Sequence, residues 1–225
     1  MAVKLLRASR FTFFVRQFQC APNCALCCRA SPVTVLPHEV YILESLAREL
    51  GVDVKFAPAY TLFDSISGVR IALSYLMLLD EEGKCPFLKG TRCLVHDLYK
   101  PLTCRSFPYL PKVVKYELDP LAREVKIEIN FVMSTLCPIV KSDLRPGDVL
   151  KMSNIKVAVQ YAPKEVEVAR ETVEKRLIYA KVLSDLWRKG YVELEDGSGH
   201  VFYPVVNGFA FIRRFKPELT VKDLL

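Results

Sequence analysis

Histidine is scarce in this chain of 225 residues: there are three, against eight cysteines. Glycine numbers only nine, and no phosphate-cradling glycine loop, Ser-His-Asp pattern or paired-carboxylate motif is present. Long apolar runs are missing as well. A membrane-crossing helix needs about 20 apolar residues. Charge-free stretches such as Ile129–Val140 and Val201–Ile212 have 12 and are interrupted by Pro, Asn or Ser. Lys4, Arg7, Arg10 and Arg16 break up the N-terminal region, so it has no signal-peptide core. These absences predict a cytoplasmic protein without a membrane partner, in a reducing pool that disfavours disulfides. Amides are few too, with four Asn and three Gln beside many Lys, Arg and Glu, a thermophile-like bias. Hyperthermophile cytosols tolerate disulfides, which keeps that pairing open as an alternative.

Charge is modest. Lys and Arg total 32 against 25 Asp and Glu, a balance of +7. The basic residues are scattered, and the densest group is only Arg213, Arg214 and Lys216. No basic run long enough for a nucleic-acid tail occurs, so nucleic acid is not expected as a partner. A protein or small-molecule partner is left unspecified. What is present is apolar: 51% of the residues, with 13 Phe and 10 Tyr. That composition excludes a disordered chain. At this length a chain buries roughly 70% of its unfolded surface and needs no covalent staples, so eight cysteines require another explanation.

The pattern along the chain predicts an α+β protein. A strand is expected over Phe11–Phe18, a loop over Cys20–Arg29, a short strand at Val33–Leu36 and a helix opened by Pro37 and stopped by Gly51. No element is assigned over 53–67. Val69–Leu79 predicts a buried strand, Leu94–Tyr99 a single helical turn, and Lys112–Leu118 with Glu124–Val132 a hairpin. Cysteine then disappears. Val149, Met152, Ile155 and Val159 predict one short helix, and Val166 through Trp187 a long one whose stripe includes Val173 and Leu177. Tyr191–Glu195 and His200–Val206 predict a closing hairpin. The expected organisation is a compact cysteine-cluster metal-binding domain over 1–144, with a helical and hairpin extension over 145–225 packed on it.

All eight cysteines lie within residues 20–137: Cys20, Cys24, Cys27 and Cys28, then Cys85, Cys93, Cys104 and Cys137. Gaps of two or three residues between cysteines let tight turns bring thiolates onto one ion. Four cysteines in nine residues, set among turn and polar residues, are poorly explained by core packing, and the neighbours Cys27 and Cys28 do not suit a simple disulfide. All eight are therefore candidate metal ligands, for thiolate zinc or for an iron–sulfur cluster of the [4Fe–4S] type. His96 is a possible further ligand, and Asp97 a possible orienting partner for it. Arg29 and Arg105 each follow a cysteine, where a guanidinium offsets thiolate charge, and both are candidate cofactor-binding residues. His38, at a helix start, and His200 are expected to be ordinary polar residues.

In order, Cys20-x3-Cys24-x2-Cys27-Cys28-Arg29, Cys85-Pro86-Phe87-Leu88, Cys93-x2-His96 and Lys100-Pro101-Leu102-x-Cys104-Arg105-x-Phe107-Pro108 resemble the YkgJ-type cysteine-cluster family over about residues 20–140. That resemblance implies zinc or iron chelation and, as its members are often described, an iron–sulfur oxidoreductase. The family usually has Arg where Lys100 stands. One branch is similar to flagellin lysine N-methylases, which implies S-adenosylmethionine and methyl transfer as a further possibility. The first three cysteines also resemble the radical S-adenosylmethionine triplet, but Leu26 stands where those enzymes carry an aromatic. Whether the chain is an enzyme stays open. The alternative is a non-catalytic module with closed structural zinc that binds a partner protein or nucleic acid.

Overall fold

A computed structural model describes residues 16–30 and 32–224. Most of the strand expected over Phe11–Phe18 lies outside the described residues. Arg16–Phe18 has no regular structure; Phe18 is buried, and its N–H donates to the carbonyl of Tyr161 at 2.7 Å. The described chain is α+β, with eight α-helices and nine strands.

The elements run α1 (Cys27–Ala30), β1 (Val33–Val35), α2 (Pro37–Leu50), β2 (Phe56–Asp64), β3 (Val69–Met77), β4 (Leu88–Lys89), β5 (Arg92–Cys93), α3 (Leu102–Ser106), β6 (Tyr109–Asp119) and β7 (Glu124–Met133). They continue α4 (Pro138–Asp143), α5 (Pro146–Lys151), α6 (Ile155–Tyr161), α7 (Pro163–Arg188), β8 (Leu194–Asp196), β9 (Val205–Asn207) and α8 (Gly208–Arg213). Pro37 suits the first turn of α2, and Gly51, at φ 64°, ends it in the left-handed conformation.

β3 is the axis of the main sheet, because its sequence buries almost every side chain. One edge pairs antiparallel with β2; the other is shared by antiparallel β1 and parallel β9. β8 adds to the free edge of β2. The closing hairpin expected from Tyr191–Val206 is therefore not formed. Its two strands go to opposite sides of the sheet, and His200, between them, stacks on Phe63 at 3.8 Å. Gly208 is required by this join, since a Cβ there would stand 2.5 Å from the carbonyl oxygen of Ala72. β6 and β7 form the expected hairpin.

Other expectations need correction. Residues 94–98 turn without making a helix, and the helix follows Pro101 instead. α1 begins inside the expected 20–29 loop. The single helix expected around Val149–Val159 is split in two, because the Asn154 side chain accepts from the Lys156 N–H and starts α6 afresh. On α7 the buried face contains Thr172, Arg176 and Tyr179, while Leu177 points outward. The helix packs on both β7 and α3, which turns its inner face towards polar partners.

Candidate metal centre

The first cysteine segment is shaped by backbone reversals. Asn23 and Ala25 adopt φ 56° and 49°, on either side of Cys24, and turn the chain back so that Cys24 and Cys27 face one hollow. α1 then holds Cys27 and Cys28 with their sulfurs 4.0 Å apart. Two contacts tie this segment to the next block. The Cys85 N–H donates to the Cys28 carbonyl at 2.8 Å, and Arg29 Nη2 donates to the Gly90 carbonyl at 2.8 Å. The small β4–β5 hairpin places Cys93, and α3 places Cys104.

Seven of the eight cysteines thereby line a single cavity of about 510 Å3, whose walls also include Met77, Phe87, Val95, Phe107 and Lys100. Cys137 is the exception. It stands at the N-cap position of α4 and is buried in a cluster with Tyr109, Met133, Val140 and Tyr161, next in sequence to the cavity-lining Leu136 and close enough to Cys20 to raise its pKa. Exposure grades the lining thiols. Cys20 and Cys24 are exposed, Cys27, Cys28, Cys93 and Cys104 partly buried, and Cys85 buried. Among the described residues, no three Cys, His, Asp or Glu side chains lie close enough, as they stand, to grip one ion. The donors share a cavity without yet forming a closed polyhedron.

Their protonation follows from the surroundings. The hydrogen bond shared with Cys28 draws the Cys27 thiol below the usual cysteine range, with help from the Lys100 ammonium and against the effect of burial. The same bond, with burial and the Cys27 charge, pushes Cys28 up. Burial raises Cys85 to about 11 and raises Cys20, Cys93 and Cys104. Lys100 opposes that rise at Cys20, Cys93 and Cys104, so one cation acts on four thiols. Its electrostatic place was not visible in the sequence, where only its departure from the family's Arg marked it.

The other candidates are placed differently. Arg29 and Arg105 do not line the cavity. Arg29 latches the first segment to Gly90, and Arg105 pairs with Glu171 of α7 at 3.4 Å. His96 is exposed at the cavity, and Asp97 pairs with Arg92 at 3.6 Å.

His38, expected to be an ordinary polar residue, is fully buried, and so is its neighbour Glu39. The Glu39 carboxylate accepts from the Leu36 N–H at 2.7 Å, the Leu102 N–H at 2.8 Å and the Tyr99 hydroxyl at 3.0 Å, so it ties α2 to the segment carrying Lys100 and Cys104. Burial raises its pKa, opposed by these donors and by Arg176. Tyr179 accepts from the His38 N–H at 3.2 Å and stands 3.0 Å from Nδ1, while Nε2 has no partner among the described residues. Burial lowers the His38 imidazole to about 4. An unfolded imidazole takes up its proton near 6.5, whereas the folded one resists until about 4. Stability tied to His38 is therefore complete above about 6.5 and falls as pH drops towards 4, by about 3 kcal/mol. Denaturant unfolding from pH 7 to pH 4 is expected to show this loss, and His38→Leu to flatten that limb.

Residues 19–138 match the family profile CxxCxxCC, described as a putative zinc- or iron-chelating domain. No curated protein and no solved structure matches the chain. Among the described residues no helix is long and apolar enough to cross a membrane.

Proposed function

Because the chain belongs to this zinc- or iron-chelating family, we propose that the thiol-lined cavity is its metal centre, held by Cys27 and Cys28 together with two of the inner cysteines Cys85, Cys93 and Cys104. The observation that carries this is the convergence of three sequence-distant blocks on one cavity beside a cation. The donor chemistry fits. Soft thiolates suit zinc and iron, and a tetrahedral zinc site with Zn–S near 2.3 Å has sulfurs about 3.8 Å apart. Cys27 and Cys28 already stand 4.0 Å apart. A single χ1 rotation moves a cysteine sulfur by roughly 3 Å, enough to draw other thiols inward.

That spacing favours a single tetrahedral ion, zinc. The cavity volume, far above what one ion fills, favours the second reading, an iron–sulfur cluster. When bound, such a cluster supplies one-electron redox chemistry. A pocket of this size also falls within the range that admits small organic ligands, which supports S-adenosylmethionine as a co-ligand in that reading. In either case Lys100 offsets thiolate charge from inside the cavity, whereas Arg29 and Arg105 hold the surrounding segments in place. Residues 145–225 act as a buttress, with α7 lying against α3.

Zinc titration of the reduced protein at pH 7, in buffers of different ionisation enthalpy, tests the reading. Burial favours the protonated form of Cys28, Cys85, Cys93 and Cys104, so four-thiolate binding is expected to release about three to four protons per zinc. Binding without proton release would contradict a thiolate centre.

A further inference from the structure

The inner thiols already outnumber the donors of a four-coordinate centre, so Cys20 and Cys24 call for a separate account. Both line the cavity, and both are exposed. They therefore form its rim, between solvent and the inner set. The inner five are buried or partly buried, so these two exposed thiols are the ones that an ion still wrapped in another molecule's donors meets first.

Resting on the metal-centre reading above, we propose that Cys20 and Cys24 are an entry pair, which takes zinc directly from a carrier chelate and passes it to the inner thiols. The exchange is a sequence of ligand substitutions. The Cys20 or Cys24 sulfur forms a bond to zinc as one carrier donor leaves, and the thiol proton goes to solvent. Inner cysteine sulfurs then bond to the ion one after another, each releasing any thiol proton to solvent, as the remaining carrier donors and the rim sulfur leave it, and the rim sulfur is reprotonated. No electron is transferred, and zinc stays divalent throughout. The cargo is a thiophilic divalent cation, and the partner is a carrier that holds it through a few exchangeable nitrogen, oxygen or sulfur donors.

The test uses the full-length reduced protein and the zinc complex of 4-(2-pyridylazo)resorcinol as carrier, with transfer followed by stopped-flow absorbance. The double variant C20S/C24S is expected to keep the wild-type zinc stoichiometry and affinity but to accept zinc roughly ten-fold more slowly or worse. C24S alone is expected to fall between the two. Circular dichroism is expected to be unchanged, because both positions are exposed. A transfer rate for the double variant within roughly two-fold of wild type would overturn the entry role. So would a loss of equilibrium affinity beyond roughly ten-fold, which would make these two cysteines resident ligands. A wild-type protein that takes up no zinc at equilibrium would overturn the metal-centre reading itself, and the entry role with it.

Discussion

Serine at Cys27 and Cys28 together is expected to lower zinc affinity by roughly four orders of magnitude. Structural thiolate sites bind zinc with about 10–16 kcal/mol over four ligands, so two ligands represent roughly 6 kcal/mol, or about 10⁴-fold. These two sulfurs stand 4.0 Å apart at the head of α1, and Cys27 is the thiol most easily ionised by its surroundings. The fold is expected to survive. Both positions are only partly buried, and the backbone bond from Cys85 to the Cys28 carbonyl does not depend on the side chains. Cys137→Ala provides the contrast. Cys137 is buried in an apolar cluster and does not line the cavity, so its loss is expected to reduce stability and leave zinc affinity near the wild-type value. Competition titration against a chromophoric chelator separates the two variants. Equal affinities would contradict the placement of the centre.

Glu39→Ala is expected to be the most damaging single change to stability, costing about 3–5 kcal/mol. The carboxylate is fully buried, and three donors converge on it. Alanine leaves the Leu36 and Leu102 N–H groups without their acceptor in a place that water does not reach, and it opens a void. Glu39→Gln keeps the volume but not the pattern. One carboxylate oxygen accepts from Leu36 and the other from both Leu102 and Tyr99, so an amide must turn its NH2 group towards a donor on one side. A loss of about 2 kcal/mol is expected, smaller than for alanine. Because Leu102 opens the helix that carries Cys104 and follows Lys100 by two residues, both variants are also expected to loosen zinc binding. Denaturant midpoints measured with and without zinc give the two effects separately. A Gln variant as stable as wild type would remove Glu39 from its positioning role.

The difference between what the sequence disclosed and what it hid follows from the range of the interactions. α2 was legible because its apolar spacing, its Pro37 start and its Gly51 stop are all local. β2 was not, because Pro58 and scattered aromatics obscure the alternation; the strand accommodates them with register shifts between Pro58 and Thr61. The stripe on α7 was recognised, and Val166, Ala169, Ala180, Leu183 and Trp187 are buried, but its middle turn is rotated and leaves Leu177 outside. The apolar positions suggested Val173 and Leu177 inward, whereas the helix buries Arg176, which donates to the Tyr116 hydroxyl at 2.9 Å. No local pattern announces such a partner. The closing strands are shorter than expected and lie later in the chain, at Leu194–Asp196 and Val205–Asn207, and their pairing depends on which edges of β2 and β3 are free.

The candidate site divides in the same way. Cys20 to Cys28 stood out because four cysteines fall within nine residues. That Cys85, Cys93 and Cys104 share their cavity, and that Cys137 does not, depends on long-range folding. His38 looked like an ordinary polar residue at a helix start and its neighbour Glu39 gave no signal, and only the packing of α3 and α7 over that start buries them.

The most direct measurement is the metal-to-protein ratio of protein prepared without oxygen, combined with alkylation of its thiols under native conditions. The metal centre requires about one zinc, or about four irons with sulfide, per chain. It also requires that Cys27 and Cys28 be protected from alkylation until the metal is removed by a chelator, while Cys20 and Cys24 react throughout. Protein free of both metals, with Cys27 and Cys28 reacting as fast before chelation as after it, would contradict the account.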